Sequence, residues 1–101
     1  MLVAFSIAPG SSDPDGSVSE AVAEAIRIVR ASGLPNETTS MFTTLEGEWD
    51  EVMAVIKQTV DALLARSDRV SLVLKADIRP GHTGQLTAKV ERVNERLAES
   101  G

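Results

Sequence analysis

Residues 69–78 (RVSLVLKADI) alternate in the manner of a half-buried strand. Val70, Leu72, Leu74 and Ala76 fall on one face, and Ser71, Val73, Lys75 and Asp77 on the other. A second alternation opens the chain, where Val3, Phe5 and Ile7 interleave with smaller residues until Pro9-Gly10 stops the run. Two strands at opposite ends of a 101-residue chain, with helical patterns between them, leave few topologies open.

The segment between them divides cleanly. Residues 10–17 (GSSDPDGS) are turn formers and predict a polar loop. Ser17-Val-Ser-Glu20 fits a capping box, with Val18, Val22, Ala25 and Val29 following at helical spacing until Gly33 and Pro35. Residues 36–47 (NETTSMFTTLEG) predict two short strands that meet near Ser40. A second helix is expected from about Glu48 to Arg66, buried along Val52, Ile56, Val60 and Leu63, with Trp49 one turn earlier. After loop 79–85, a last helix is expected near Thr87, a good N-cap, with Leu86, Val90, Val93 and Leu97 in phase.

The order β-α-β-β-α-β, then α, predicts one α+β domain over residues 1–101 with a ferredoxin-like βαββαβ fold. Two helices would cover one face of a four-stranded antiparallel sheet, with a C-terminal helix added. The other face would carry Ala4, Ser6, Ser71, Val73 and Lys75, half-apolar and open. Such a face suits a second subunit, so a homodimer or homotetramer through sheet faces and edges is expected.

Composition narrows the function classes. The chain has no cysteine, which removes disulfides, thiolate catalysis and thiolate metal sites. Its formal net charge is −5 with no Lys/Arg cluster, which argues against nucleic acid. No run approaches the roughly 20 apolar residues of a membrane span, and the apolar start lacks the basic residues of a signal peptide. The reading is therefore a soluble, cytoplasmic protein.

Residues able to carry chemistry are sparse. His82 is the single histidine, set in a loop between Gly81 and Thr83, so no metal site and no catalytic triad is expected. Glu46, Glu48, Asp50 and Glu51 crowd the start of the second helix, where the helix dipole favours acids. Glu46 differs from the others because it ends a strand just before Gly47, where its carboxylate can point into a cleft. Trp49 is either a core anchor or a stacking surface at a pocket rim. Lys75 sits mid-strand on the face away from the helices, and Arg79 closes that strand.

The run Thr39-Ser-Met41-Phe-Thr43-Thr-Leu-Glu46-Gly47-Glu48-Trp49-Asp50-Glu51-Val52 resembles the thiamine-binding protein family, whose pattern is Thr, Met-Gly-Thr, two residues, then Glu-Gly-Glu-Trp-Asp-Glu. The Pro9-Gly10 strand end, the Ser-x-x-Glu helix start and Lys75-x-Asp77 also fit. Phe42 stands where the pattern has glycine, and either fills the pocket or offers a ring for stacking. The resemblance implies a ferredoxin-like homo-oligomer that binds thiamine or its hydroxymethylpyrimidine part near subunit interfaces, with no catalysis and no required cofactor.

The expected ligand site is Ser6, Thr39, Met41, Thr43, Glu46, Trp49 and Lys75. Glu46 would accept the ligand amine and the hydroxyls would orient the ring. Met41 and Trp49 would give apolar contact, and Lys75 would order Glu46 or an interface carboxylate. Two rivals remain: a small dimeric barrel enzyme, and a module that only oligomerises.

Overall fold

The computed structural model describes residues 1–10 and 19–100. Along the chain lie β1 (Leu2–Pro9), α1 (Ser19–Ala31), β2 (Asn36–Thr38), β3 (Thr43–Glu46), α2 (Trp49–Leu64), β4 (Val70–Asp77) and α3 (Gln85–Ser100). The strands form one antiparallel sheet in the order β2-β3-β1-β4, which is the ferredoxin-like arrangement. The terminal strands thus meet, in register from Leu2 opposite Asp77 to Pro9 opposite Val70.

Register fixes the two faces of the sheet. Val3 lies between Leu45 and Ala76, and Phe5 between Thr43 and Leu74. These residues face α1 and α2, and the core is Val3, Phe5, Ile7 and Leu45 packed on Ala21, Ala25 and Val29 of α1 and Val52, Val55, Ile56 and Leu63 of α2. The intervening residues form the open face: Leu2 between Glu46 and Asp77, Ala4 between Thr44 and Lys75, and Ser6 beside Val73. Ser6, Ser71, Val73 and Lys75 are exposed there, as the alternation predicts.

Local features refine or depart from expectation. The Ser17 capping box and Val18 fall outside the described residues. Of the expected α1 stripe, Ala25 and Val29 are buried, but Val22 is only half-buried and Ala21 takes its place, because small alanines let α1 approach the sheet closely. Trp49 is 55 % exposed, so the rim reading holds and the core-anchor reading does not. Helix α3 begins at Gln85, two residues before the expected Thr87 cap, because the cap is supplied from β3 rather than from the adjacent sequence.

Two turns have clear stereochemical causes. A Cβ on Gly10 would sit 2.5 Å from the Arg69 Cβ, so only glycine lets β1 end beside the start of β4. Arg79-Pro80-Gly81-His82 closes with a bond from the His82 N–H to the Arg79 carbonyl (3.2 Å). Gly81 there takes φ +78°, the conformation that position requires in a type II turn.

Helix α3 stands apart from this body. Val90, Val93 and Leu97 on it are 60 %, 56 % and 64 % exposed. The Cα radius of gyration is 15.7 Å, against about 13 Å for a compact chain of this length. No helix among the described residues is long and apolar enough to cross a membrane.

Candidate functional site

Several backbone ties converge at the end of β3. Met1 and Gly47 exchange backbone bonds, Met1 N to the Gly47 carbonyl at 2.7 Å and Gly47 N to the Met1 carbonyl at 3.1 Å. The Glu46 N–H donates to the Pro35 carbonyl at 3.0 Å. A Cβ added at Gly47 would press on the Val52 side chain at 3.1 Å, so glycine keeps this corner close to α2. These ties leave the Glu46 side chain on the open face of the sheet.

Glu46 is only 8 % exposed, although it is on that open face. The first turn of α3 covers it. Gln85 N–H donates to Glu46 Oε2 at 2.9 Å, and Leu86 N–H to Oε1 at 3.2 Å. The first amides of a helix have no partner within the helix, so a carboxylate 39 residues earlier in sequence acts as the cap. A neighbouring acid plays a similar part for α2, where Glu51 Oε1 accepts the Glu48 N–H at 3.1 Å.

Between these two carboxylates lies a cavity of about 430 Å³. Leu34, Pro35 and Leu86 supply apolar wall, Thr83 and Thr87 supply hydroxyls, and Glu46 and Glu51 supply acid. No Lys, Arg or His is among the residues lining it. The volume lies within the roughly 300–1,000 Å³ of small-ligand sites. The chemistry suits a partly apolar ligand that donates hydrogen bonds or carries positive charge.

The other expected site residues do not join Glu46. Ser6, Thr39, Met41 and Thr43 share a separate cavity of about 230 Å³, bounded by β1, α1 and the β2–β3 hairpin tip. Phe42 is part of its wall. Thr39 uses its hydroxyl locally, donating to the Phe42 carbonyl (3.2 Å) and accepting from the Phe42 and Met41 N–H groups (3.3 and 3.4 Å). The Thr43 hydroxyl pairs with that of Thr38 at 3.2 Å.

Trp49 borders a third cavity, of about 170 Å³, with Arg79 and His82 from the type II turn. Lys75 lies in an open depression on the sheet, beside Leu2, Ala4, Thr44 and Asp77. The seven residues named from sequence are therefore spread over four places.

The sequence reading placed Glu51 beside Glu46 only as helix-start charge, and missed Thr83, Thr87 and Leu86 as companions of Glu46. A mixed set of hydroxyls and one leucine on a loop and helix start carries no local signal. Only the bond from Glu46 to the start of α3 brings them together. Among the described residues, no three His, Cys, Asp or Glu side chains cluster to hold a metal ion.

The sequence profile of a family described as thiamine-binding protein matches residues 3–94. A UPF0045 protein of Mycobacterium bovis is 52 % identical over 99 residues, covering 96 % of this chain and 94 % of the relative. A hypothetical protein of Methanocaldococcus jannaschii superposes with a TM-score of 0.81 at 32 % identity, covering 93 % of this chain and 95 % of that one. A Thermotoga maritima structure, assigned provisionally to thiamine biosynthesis or salvage, gives 0.78 at 27 % identity, covering 91 % and 96 %.

Proposed function

Because this chain belongs to the thiamine-binding protein family, we propose that it binds thiamine or a related hydroxymethylpyrimidine, without catalysis, in the cavity at Glu46. The observation that carries this reading is a buried carboxylate in a mostly apolar cavity with no cationic side chain in its lining.

The chemistry of the ligand matches the lining. An aminopyrimidine offers an exocyclic amine donor beside ring-nitrogen acceptors. Glu46 uses one lone pair on each oxygen for Gln85 and Leu86, and a carboxylate offers about four acceptor sites, so it retains capacity for the amine. Thr83 and Thr87 hydroxyls can donate to the ring nitrogens, while Leu34, Pro35 and Leu86 cover its faces. The fixed positive charge of a thiazolium is served by Glu51.

A cytoplasmic carrier, buffer or sensor that self-associates fits these features. The hairpin cavity, which gathers Ser6, Thr39, Met41 and Thr43, is the alternative position for the same ring.

Calorimetric titration with thiamine and with hydroxymethylpyrimidine tests the reading, on the native chain, Glu46→Gln and Met41→Ala. Glutamine can still accept a helix amide but carries no charge. Loss of a charged hydrogen bond, about 1.5–3 kcal/mol, predicts at least roughly tenfold weaker binding in Glu46→Gln. Weakening in Met41→Ala alone would move the ring to the hairpin cavity. No saturable heat with either ligand would refute the proposal.

A further inference from the structure

The approach to α3 has the make-up of a phosphate cradle. Thr83, Gly84 and Thr87 line the Glu46 cavity and sit at the start of that helix. Glycines and hydroxyls that lead into a helix N-terminus hold phosphate where the first backbone amides are free to point at it. Here two of the four amides that lack a helical partner, those of Gln85 and Leu86, already donate to Glu46 at 2.9 and 3.2 Å. The positive end of the helix dipole is therefore met by a carboxylate that is nearly buried.

We propose that this cavity takes its ligand as the free alcohol and rejects the phosphate ester of the same molecule. Glu46 fills the place that a phosphate would need, and Glu51 adds repulsion at the rim. The inference rests on the ligand reading above and adds its selectivity.

The surrounding charge favours this. None of the described side chains lining the cavity is basic, and two are carboxylates. A cavity of about 430 Å³ keeps any occupant within about a Debye length, roughly 8–10 Å, of both. A phosphate monoester brings a charge of about −1.5 to −2 at neutral pH, with oxygens that only accept hydrogen bonds when ionised. The Thr83 and Thr87 hydroxyls can donate to it but cannot neutralise it. The basic groups of the neighbouring elements lie in other places, Arg79 and His82 in the Trp49 cavity and Lys75 in the sheet depression. Glu51 is exposed, so solvent weakens its share of the repulsion relative to that of Glu46.

Calorimetric titration with thiamine and with thiamine monophosphate tests the selectivity, on the native chain and on Glu51→Gln, at low and high salt. Glutamine at position 51 can still accept the Glu48 N–H, so the start of α2 is kept. The native chain should bind the ester at least about tenfold more weakly than thiamine. That ratio should shrink by about threefold in Glu51→Gln, and shrink again at high salt, where both the attraction for the thiazolium and the repulsion of the phosphate are screened. Equal affinities in the native chain would overturn the selectivity and leave the ligand reading standing. A tighter ester whose advantage disappears in Arg79→Gln would also overturn it, and would carry the phosphate to the Trp49 cavity. A ratio unchanged in Glu51→Gln would overturn the part given to Glu51. Saturable heat with neither molecule would overturn the ligand reading and this inference with it.

Discussion

Replacing Glu46 by alanine removes both acceptors that hold the first turn of α3. Hydrogen bonds to a charged group contribute about 1.5–3 kcal/mol when the donors would otherwise be buried. Here the freed Gln85 and Leu86 amides can turn to water, so the smaller cost of losing a helix cap governs, about 1–2 kcal/mol. At 1.4 kcal/mol per tenfold, local opening should become roughly 5- to 30-fold more frequent. The effect should also stay local. Helix α3 touches the body at β3, while Val3, Phe5 and Leu45 are sealed by α1 and α2.

Amide hydrogen exchange resolves the two regions. Gln85 and Leu86 should exchange faster in Glu46→Ala by that factor, while the Val3, Phe5 and Leu45 amides keep their native protection. Glu46→Gln should fall between, since one side-chain carbonyl still accepts. First-turn amides have no partner inside the helix, so their protection has no source in α3 itself. If both stay protected in Glu46→Ala, the capping argument is wrong. If the core amides accelerate equally, α3 is part of the global cooperative unit rather than an appendage.

Leu45 and Leu63 are fully buried, and truncating either to alanine should cost about 2–5 kcal/mol, read as a lower midpoint in urea at unchanged slope. Gly10→Ala should destabilise by about 1–3 kcal/mol in the same assay, because the new methyl would meet the Arg69 Cβ at 2.5 Å. Thr39→Val should loosen the hairpin tip, with faster exchange at the Phe42 amide and a loss of about 0.5–1.5 kcal/mol. Lys57→Met breaks an exposed ion pair with Asp61 at 2.8 Å and should change stability by less than about 0.5 kcal/mol, an internal control for the others.

The two terminal strands were legible because their apolar residues recur every second position, although Leu72, in phase on β4, is 40 % exposed. Val3, Phe5 and Ile7 at one end and Leu74 and Ala76 at the other read directly as one buried face, and the pairing of β1 with β4 followed from the element order. The phase of α1 was harder. Val18 and Val22 are more hydrophobic than Ala21 and Ala25, and hydrophobicity alone favours the larger side chains, whereas close packing of helix on sheet favours the smaller ones. Trp49 was ambiguous for a similar reason, since a large ring at a helix start is compatible with core or rim.

Glu46 stood out in the sequence by its place at a strand end, and that much was sound. Its bond to Gln85 was not readable, because capping across 39 residues depends on how the chain returns and not on any local pattern. The same gap misplaced the start of α3 at Thr87, a residue with good local capping chemistry that the tertiary cap makes unnecessary. The resemblance around Glu46–Val52 gave the family. It did not reveal that the residues named with Glu46 line different cavities.

The pairing of β1 with β4 also has a consequence in time. Leu2 waits for Asp77, so one side of the first strand made has no partner until three-quarters of the chain exists. At a synthesis rate of about 5–20 residues per second, that interval is roughly 4–15 s. Through it, Val3, Phe5 and Ile7 rely on α1, α2 and β3 alone. The amides that donate to Glu46 emerge later still, so the corner that forms the candidate site is completed only after the whole sheet, with the remainder of α3 to follow.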